Sequence, residues 1–325
     1  MKSKILEILR NKDTYVSGQE LSERFGVSRT AVWKAIHQLE EEGYRIEAVP
    51  RKGYHMVETP DVVCKEEILS LLETKWAGRN LVYLETVDST NDLAKKLADQ
   101  GAPEGTLVVA DEQTGGKGRR GRAWCTPKGS AIAMTIVLRP DIRPELASMV
   151  TLVMGLSVAK AIGSLYPVSV GIKWPNDVVV NGKKICGILT EMSAQIDYIN
   201  YIVIGVGINV SNEIFPEEVA ATATSLYLLT GVRISRAKLA AKIMAEFEKY
   251  YALYLKTQDL SGLMNEYNSH LINRGRSVRV LDPRQEYTGV AQGINQSGEL
   301  LVQTEDGTAH VSSGEVSVRG VYGYV

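Results

Sequence analysis

The sequence predicts an α+β protein of several domains: an N-terminal winged helix-turn-helix, a central mixed β-sheet with helices, and a small C-terminal β-barrel. Three observations support this prediction. The chain has 325 residues, which is longer than one typical domain. Short capped helices and a hairpin pattern come first, apolar strands alternate with helices in the middle, and short strands separated by turns come last. We therefore expect domains at residues 1–60, 61–273 and 274–325.

Residues 1–60 carry the pattern of a helix-turn-helix. Ser17 and Glu20 have the spacing of a capping box, and Gly26 ends the helix that they open. Ser28 caps a second helix, predicted to run to about Glu41, whose apolar residues share one face. Two short helices joined by a tight turn are typical of this DNA-binding unit.

Cations gather on the polar face of this second helix and at the tip of the hairpin that follows. Residues 44–49 and 54–57 alternate between apolar and polar, and Pro50-Arg-Lys-Gly53 joins them as the wing. Such cations would contact phosphates, and nearby polar side chains could read bases, so we predict DNA binding. The assigned residues are Ser28, Arg29, Thr30, Lys34, His37, Arg51 and Lys52. The alternative is a protein-interaction module, and Trp33 could pack on the wing or face DNA.

The central region predicts buried strands and one long apolar helix. Three strands are expected at residues 81–84, 106–111 and 131–138, and a helix that is apolar on most faces at residues 145–166. Residues 178–191 predict a hairpin around an Asn-Gly turn, and residues 201–210 a further buried strand. Helices at residues 236–255 and 260–271 close the region.

Residues 113–124 form a loop rich in glycine and cations between two of these strands. Glycine lets backbone approach a ligand closely, and four Lys and Arg residues concentrate positive charge. The loop is suited to closing over an anion, while the plain alternative is a solvated, flexible surface loop. The sequence disfavours a P-loop kinase, because Gly118 follows Lys117 where the Walker A motif needs Ser or Thr.

Polar residues also lie where predicted strands end. Ser89, Thr90 and Asn91 begin a helix, and three polar residues exceed what capping requires. Asn209 is an isolated polar residue near the end of a buried strand, which indicates a pocket. Lys184 heads an apolar strand beside Asp177. It could be a surface charge at a hairpin or a phosphate-binding cation held by neighbouring structure.

Composition limits the function classes. Apolar residues make up 44% of the chain, charged residues 23%, and the net charge is −1, so any binding of anions must come from local clusters. Cys64, Cys125 and Cys186 form no metal-binding or redox motif, which favours reduced thiols and a cytoplasmic location. No signal-peptide region is seen, and no run approaches the about 18 apolar residues of a membrane span, so no membrane partner is expected.

The last segment has the pattern of a small barrel. Four short strands are expected at residues 277–281, 286–294, 299–304 and 310–318. Asp-Pro, Ser-Gly and Asp-Gly turns separate them.

Taken together, these elements resemble the biotin protein ligase family, specifically its bifunctional class that also represses biotin genes. The motifs that carry the resemblance are Asp88-Ser-Thr-Asn91, Gln113 with Gly116-Lys-Gly-Arg-Arg-Gly-Arg122 and Trp124, Lys173-Trp-Pro-Asn-Asp177, Lys184-Ile-Cys-Gly-Ile-Leu189, and Gly205-Val-Gly-Ile-Asn209. The resemblance spans essentially the whole chain. It implies a class II synthetase-like core and an SH3-like C-terminal barrel.

The resemblance also implies an activity with two half-reactions. Biotin and ATP give biotinyl-5′-AMP and pyrophosphate, with Mg²⁺ shielding the leaving group, and biotin is then transferred to a lysine of a biotin carboxyl carrier protein. The implied partners are that carrier protein, operator DNA of biotin genes, and a second copy of the chain when the adenylate is bound. Two alternatives are a biotin-sensing transcription factor with an inert core and a lipoate-type ligase.

By resemblance, particular residues take particular roles. Lys184 would hold carboxyl and phosphoryl oxygens, Asp177 would orient or help deprotonate the acceptor amine, and Arg119 completes the catalytic group. The biotin-binding residues would be Ser89, Thr90, Asn91, Gln113, Gly116, Lys117, Gly118, Arg119 and Lys184. The adenylate-binding residues would be Lys117, Arg119, Arg122, Trp124, Asn176, Lys184, Asn209 and Arg319, and no residue is assigned to a metal.

Lys117 departs from the family pattern, which commonly has Arg at this position. The charge is kept, but the bidentate fork of the guanidinium is lost. This difference concerns how tightly the closed loop retains the reactive intermediate, and it leaves the reaction type unchanged.

Overall fold

The computed structural model describes residues 1–282, 285–313, 317–320 and 324. The N-terminal domain has three helices and a two-stranded wing. Its elements are α1 (Lys2–Arg10), α2 (Gly18–Phe25), α3 (Arg29–Glu41), β1 (Arg45–Val49) and β2 (Gly53–Glu58). The predicted caps are confirmed, because Ser17 Oγ accepts from the Glu20 amide and Ser28 Oγ accepts from the Ala31 amide. Gly26 ends α2 with a φ of 62°, a conformation that glycine adopts without strain.

The core is a mixed seven-stranded sheet covered by helices on both faces. Its strands are β3 (Leu81–Val87), β4 (Leu107–Gln113), β5 (Ala131–Leu138), β6 (Val170–Lys173), β7 (Asp177–Val180), β8 (Lys183–Ala194) and β9 (Ile199–Asn209), in the order β3-β4-β5-β9-β8-β7-β6. Its helices are α4 (Lys65–Leu71), α5 (Thr90–Asp99), α6 (Ser148–Leu165), α7 (Glu217–Ala220), α8 (Leu226–Thr230), α9 (Arg236–Thr257) and α10 (Met264–His270), with short 3-10 turns at Arg119–Gly121 and Pro144–Leu146. The mixed sheet is confirmed, because β3 and β4 pair in parallel and the other neighbours pair antiparallel.

Two layers of helices enclose this sheet. The small layer is α5, whose Ala94 and Ala98 pack on Val108, Val137 and Val203. The larger layer contains α6 and α9, which contact each other and share the main apolar core with the opposite face of the sheet. The predicted Asn-Gly hairpin is also confirmed, with positive φ at both turn residues between β7 and β8. These layers leave the end of β4 and the facing parts of β8 and β9 beside the glycine-rich loop.

No run was expected to approach the length and apolarity of a membrane span, but helix α6 and the turn before it do so. The stretch Pro144–Leu165 has 22 residues and a mean hydropathy of 1.7 in its most apolar window, which is long and apolar enough to cross a membrane. However, 72% of that window is buried inside the fold. The helix lies between the sheet and α9, so core packing accounts for its apolar surface.

The C-terminal segment forms a five-stranded antiparallel sheet. Its strands are β10 (Ser277–Leu281), β11 (Glu286–Ile294), β12 (Leu300–Thr304), β13 (Gly307–Val311) and β14 (Ser317–Gly320), in the order β13-β12-β11-β10-β14. The single strand predicted at residues 310–318 is therefore wrong. A tight turn ending at Gly307, with a φ of 125°, starts β13 early enough to pair with β12, and β14 then pairs with β10 at the other side of the sheet.

A buried charge cluster joins the winged domain to the core. Glu67 of α4 is 2% exposed and accepts two hydrogen bonds from Arg10 of α1, at 2.7 and 2.9 Å. Tyr44 donates to the same carboxylate at 2.7 Å, and Arg10 also donates to Ser70. Buried ion pairs persist when additional hydrogen bonds satisfy them, so this cluster fixes how the two domains meet.

A second buried cation ties the interdomain linker to the ligand loop. Arg236 of α9 donates to Asp61 of the linker at 3.1 Å and to Asp111 of β4 at 2.5 Å. Asp111 in turn accepts from the amide of Gly129, on the far side of the glycine-rich loop. Arg236 therefore connects the linker with both ends of this loop.

Candidate active site

One pocket lies where the end of β4 and the facing parts of β8 and β9 meet the glycine-rich loop. Many of the predicted site residues line it. These are Ser89, Thr90, Asn91, Gln113, Lys117, Gly118, Arg119, Trp124, Asn176 and Lys184. Gly187, Ile188, Leu189, Gly205, Val206 and Gly207 complete the wall. The tertiary fold thus brings motifs from five parts of the chain together.

A half-buried lysine in the pocket wall pairs with a carboxylate beside the pocket. Lys184 Nζ lies 2.6 Å from Asp177 Oδ1, and the two side chains are 26% and 13% exposed. Of the two alternatives for Lys184, the structure therefore supports a cation held by neighbouring groups. Burial alone would raise the pKa of Asp177, but the charges of Lys184 and Lys173 and hydrogen bonds from Lys184 and Tyr324 hold it below its usual value.

Lys173 is a buried cation beside this pair, and its motif in the sequence predicted no role for it. It is 6% exposed, and its Nζ lies 3.9 Å from the centre of the Tyr324 ring. Burial lowers the pKa of Lys173 to about 8, against the attraction of Asp177 and with help from the charge of Lys184. The last residue of the buried strand β6 is therefore a cation, and it lies beside the Lys184–Asp177 pair.

Trp124 lies flat against two strand glycines. A Cβ on Gly207 would be 2.4 Å from the indole Nε1, and a Cβ on Gly187 would be 3.2 Å from the indole ring. Lys184 Nζ lies 5.5 Å from the same ring, within reach of a cation–π contact. The indole N–H is buried and donates to no described protein acceptor. Glycine at these positions is needed because the ring fills the space of a side chain.

Replacing Gly207 with alanine is expected to displace the Trp124 ring and lower the free energy of unfolding by about 1–3 kcal/mol, the usual effect of overpacking. The matched control is Gly163→Ala in α6, where a Cβ would meet nothing within 4 Å. That control is expected to be neutral or slightly stabilising. Urea unfolding and near-ultraviolet circular dichroism measure both effects. Equal stability of the two variants would contradict the packing of Trp124 on β9.

An uncharged hydrogen-bond network lines the other end of the pocket. Gln113 Oε1 accepts from the amide and hydroxyl of Thr90, at 2.8 and 3.0 Å, and its Nε2 donates to Thr126. Thr135, which the sequence analysis did not single out, donates to Asn91 Oδ1 at 2.7 Å. Asn91 also donates to Glu191 at 2.8 Å. Because every member is held by a neighbour, the polar surface is rigid and suits an uncharged polar ligand group.

The glycine-rich loop folds as a short irregular hairpin over this pocket. The amide of Trp124 donates to the Gly116 carbonyl and the amide of Gly118 donates to the Arg122 carbonyl. Arg119 donates to Asn176 Oδ1 at 2.9 Å and to the Ser313 carbonyl at 3.0 Å, so this cation links the loop to the core and to the C-terminal sheet. Burial lowers the pKa of Arg119, although nearby Asp177 opposes the shift.

Lys117 points to the helix beside the pocket. Its Nζ lies 2.5 Å from Asp92 Oδ2 in the first turn of α5, and its side chain is 54% exposed. Asp92 also pairs with Lys95 at 2.9 Å. The hydrogen bond from Lys117 lowers the pKa of Asp92, as does Lys95, although burial opposes the shift. An exposed ion pair of this kind contributes little free energy, so Lys117 can leave Asp92 for an anion that carries more charge.

Five predicted residues lie beside the pocket rather than in its wall, and one of them is Asp177, the partner of Lys184. Gly116 is packed under Trp124, since a Cβ there would meet the Trp124 carbonyl at 2.3 Å. Asn209 is 5% exposed and donates to the Thr224 carbonyl at 3.1 Å. Arg122 and Arg319 are exposed, and both help to lower the pKa of Lys173.

The predicted DNA-facing residues are exposed on α3 and at the tip of the wing. Ser28, Arg29, Thr30, Lys34, His37, Arg51 and Lys52 are all exposed. Trp33 is 54% exposed and stacks on His37 with ring centres 5.4 Å apart, so it lies on the same face of α3 as His37. His37 is also within 3.5 Å of Glu40. The wing tip and α3 therefore each present exposed cations, and α3 also presents polar groups.

The fold and the pocket define a class of protein: a ligase-type core with a cation-lined ligand site, joined to a winged helix-turn-helix. The Biotin/lipoate A/B protein ligase family matches residues 83–209, an HTH domain matches residues 2–55, and the Biotin protein ligase C terminal domain matches residues 275–319.

Whole-chain relatives agree with these matches. The chain is 40% identical over 306 residues to the bifunctional ligase/repressor BirA of Bacillus spizizenii, covering 94% of both chains. It is 30% identical over 319 residues to the bifunctional ligase/repressor BirA of Escherichia coli, covering 97% of this chain and 96% of that one. The structure of the biotin protein ligase from Aquifex aeolicus in complex with biotin and ATP superposes with a TM-score of 0.67 and 32% identity, over 74% of this chain and 99% of that one. The chain belongs to the biotin protein ligase family, in its group of bifunctional ligase/repressors.

Proposed function

We propose that this chain is an ATP-dependent biotin protein ligase that also acts as a biotin-responsive repressor. It activates biotin as biotinyl-5′-AMP and transfers biotin to a lysine of a biotin carboxyl carrier protein. The observation that carries this proposal is the pocket itself, in which an uncharged hydrogen-bond network ends at the Lys184–Asp177 pair. Biotin has an uncharged ureido ring at one end and a carboxylate at the other, which matches that arrangement.

Adenylation joins two anions, so positive charge and positioning dominate the first step. A biotin carboxylate oxygen attacks the α-phosphorus of ATP, the bond to the β-phosphate oxygen breaks, and pyrophosphate leaves with the electron pair. Lys184 neutralises the approaching oxygens, and Arg119, fixed on Asn176 at 2.9 Å, stabilises charge on the phosphate. Ser89, Thr90, Asn91 and Gln113 hold the ureido end, and Gly116 and Gly118 let the loop backbone approach. Trp124, Asn209 and Arg122 border the nucleotide.

Transfer uses the carboxylate of the same cluster. The ε-amine of the acceptor lysine attacks the carbonyl carbon of the mixed anhydride, the carbon–oxygen bond to the phosphate breaks, and AMP leaves. Asp177 accepts a hydrogen bond from the amine and directs its lone pair, and the proton released in the step passes to this carboxylate and on to solvent. The lowered pKa of Asp177 keeps it ionised for this role at neutral pH.

Mg²⁺ enters this proposal with the phosphates of ATP. Across residues 1–282, 285–313, 317–320 and 324, no group of three or more His, Cys, Asp or Glu side chains is arranged to hold a metal ion. Mg²⁺ characteristically binds through substrate phosphates and one or two carboxylates, so a protein cage is not required. When bound, it would shield the charge of the leaving pyrophosphate.

A transfer assay tests the ligase proposal. The protein is incubated with ATP, Mg²⁺ and a biotin carboxyl carrier protein, with biotin in one arm and lipoate in the other. Mass spectrometry of the carrier is expected to show one added biotin and no added lipoate. Transfer of lipoate alone would make the substrate assignment wrong, and no transfer of either would favour a sensor with an inert core.

The winged domain supplies the repressor function. Its exposed cations contact operator phosphates, and one winged helix reads too few bases for specificity, so we propose that the adenylate-bound chain dimerises on an inverted-repeat operator of biotin genes. Sedimentation of the protein on operator DNA tests this point. An adenylate-bound protein that remains monomeric on the operator would contradict the dimer.

Lys34→Ala is expected to weaken binding to operator and to unrelated DNA alike. Each lost phosphate contact should reduce the magnitude of the salt slope of binding by about 1. The control is Lys256→Ala, which removes an exposed lysine at the end of α9. Fluorescence anisotropy at several salt concentrations measures both variants. An unchanged slope for Lys34→Ala would remove it from the DNA interface.

The remaining structural assignments also belong to this proposal. The domain boundaries at 1–60, 61–273 and 274–325 are supported by the winged elements, the seven-stranded sheet and the five-stranded sheet. The C-terminal sheet is proposed to curl as an SH3-like barrel and the core to be class II synthetase-like. Arg319 extends toward the nucleotide from β14, and the location is cytoplasmic.

A further inference from the structure

Tyr324 lies beyond β14 and contacts the charged centre of the pocket. Its hydroxyl donates to Asp177 Oδ2 at 2.5 Å, and its ring lies over Lys173 Nζ at 3.9 Å. Burial and the charge of Asp177 raise the pKa of this phenol, so the hydroxyl stays protonated and acts as a donor. These contacts bring a residue from the C-terminal part of the chain onto the carboxylate of the core.

Both oxygens of Asp177 are occupied in this arrangement. Oδ1 faces Lys184 Nζ at 2.6 Å and the side-chain amide of Asn176 at 3.3 Å. Oδ2 accepts from the hydroxyl of Tyr324, whose ring lies over Lys173 Nζ. A carboxylate oxygen can accept two hydrogen bonds, but the Asp177 side chain is only 13% exposed, so we expect an amine to reach it by displacing either the adenylation lysine or Tyr324.

Displacing Tyr324 is the exchange that preserves the first half-reaction. The amine would donate one N–H bond in place of one O–H bond, while Lys184 keeps its ion pair on Oδ1. We propose that Tyr324 is a positioning residue that closes Asp177 Oδ2 until the acceptor lysine arrives. The carrier protein then gains access by moving Tyr324 aside. This inference rests on the proposed function, in which Asp177 receives the acceptor amine.

The gate separates acceptors by size. A folded carrier has a surface around its lysine that can push Tyr324 away from Asp177. A small primary amine, such as free lysine amide, has no such surface and must wait for Tyr324 to leave by itself. Tyr324 therefore acts on acceptor choice, and it leaves adenylate formation alone because it contacts Oδ2 and the Lys173 side of the cluster.

Two substitutions test the gate, and they remove different parts of the Tyr324 side chain. Tyr324→Phe removes the donor and keeps a ring over Lys173, and Tyr324→Ala removes both. Each variant is given isolated biotinyl-5′-AMP and either carrier protein or lysine amide, and biotin amide formation is followed. Tyr324→Phe is expected to speed transfer to lysine amide by about tenfold, the lower end of the range for a hydrogen bond to a charged group. Tyr324→Ala is expected to speed transfer to lysine amide further. In both variants, the rate of transfer to carrier protein should change less.

Adenylate formation from biotin and ATP, measured without acceptor, is expected to be unchanged in both variants. Tyr198→Phe is the control, since Tyr198 is 58% exposed between β8 and β9. If both Tyr324 variants form adenylate normally but transfer to lysine amide no faster than the unaltered protein, the gate is wrong and the ligase proposal stands. If the unaltered protein forms no adenylate from biotin, the proposed function itself is wrong.

Discussion

Replacing Lys184 with alanine is expected to slow adenylate formation by about 100- to 1000-fold, the usual cost of removing a preorganised group that stabilises charge in the transition state. The ammonium group is held 2.6 Å from Asp177 and 5.5 Å from the centre of the Trp124 ring. These contacts fix it before substrates bind, so it does not have to reorganise when two anions meet. Water in its place would have to be oriented at that moment.

The measurement is single-turnover pyrophosphate release with biotin and ATP. The control is Lys183→Ala, because Lys183 is the neighbouring lysine of the same strand and is exposed. Lys183→Ala should behave as the unaltered protein, and both variants should keep non-specific DNA binding. Normal pyrophosphate release by Lys184→Ala would exclude Lys184 from the site.

The local structure of the winged domain could be predicted because neighbours in sequence decide it. Ser17 and Ser28 each accept a hydrogen bond from the amide of the residue three positions later, so each cap can be predicted from four consecutive residues. The Asn-Gly turn between β7 and β8 is similarly local. The apolar face of α3 also follows from its 3.6-residue period.

Contacts between distant segments could not be read in this way. Tyr324 meets Asp177 across 147 positions of sequence, and no local pattern marks that pairing. Lys173 belongs to a motif of the sequence, but its role could not be predicted because its burial beside Tyr324 depends on tertiary packing. The division of residues 310–318 into parts of two strands also depends on tertiary structure, since β13 and β14 pair with different partners.

Lys117 shows how sequence and structure inform each other. In the sequence, lysine replaces the usual arginine here, so the guanidinium fork is lost. In the structure, Lys117 Nζ lies 2.5 Å from Asp92 Oδ2. Asp92 lies in the first turn of α5, whose N-cap is Ser89 of the uncharged network. Drawing Lys117 toward a phosphate would release Asp92 next to the proposed biotin site. Arg119 meanwhile joins the loop to Asn176 of the core and to Ser313 of the C-terminal segment, so closing the loop involves both.

Asp177→Asn is expected to slow transfer from isolated biotinyl-5′-AMP to carrier protein by about 100-fold, the low end of the range for losing a positioned base. The asparagine keeps the shape of the side chain but cannot attract the amine or take up its proton. Adenylate formation should fall less, because Lys184 loses its ion pair with Asp177 but keeps its charge and its contact with Trp124. The ratio of the two rates therefore separates this substitution from Lys184→Ala.

The pH dependence sharpens the expectation. A carboxyl group with a lowered pKa is ionised at every pH above that value, so Asp177 does not titrate in the neutral range. Between about pH 6 and 8 the transfer rate should rise with pH as the acceptor lysine loses its proton, and Asp177→Asn should lower it by the same factor throughout. Asp197→Asn, in the exposed turn between β8 and β9, is the charge-matched control. A deficit that shrinks steadily toward low pH would mean that Asp177 titrates in this range, and normal transfer by Asp177→Asn would exclude it from the acceptor step.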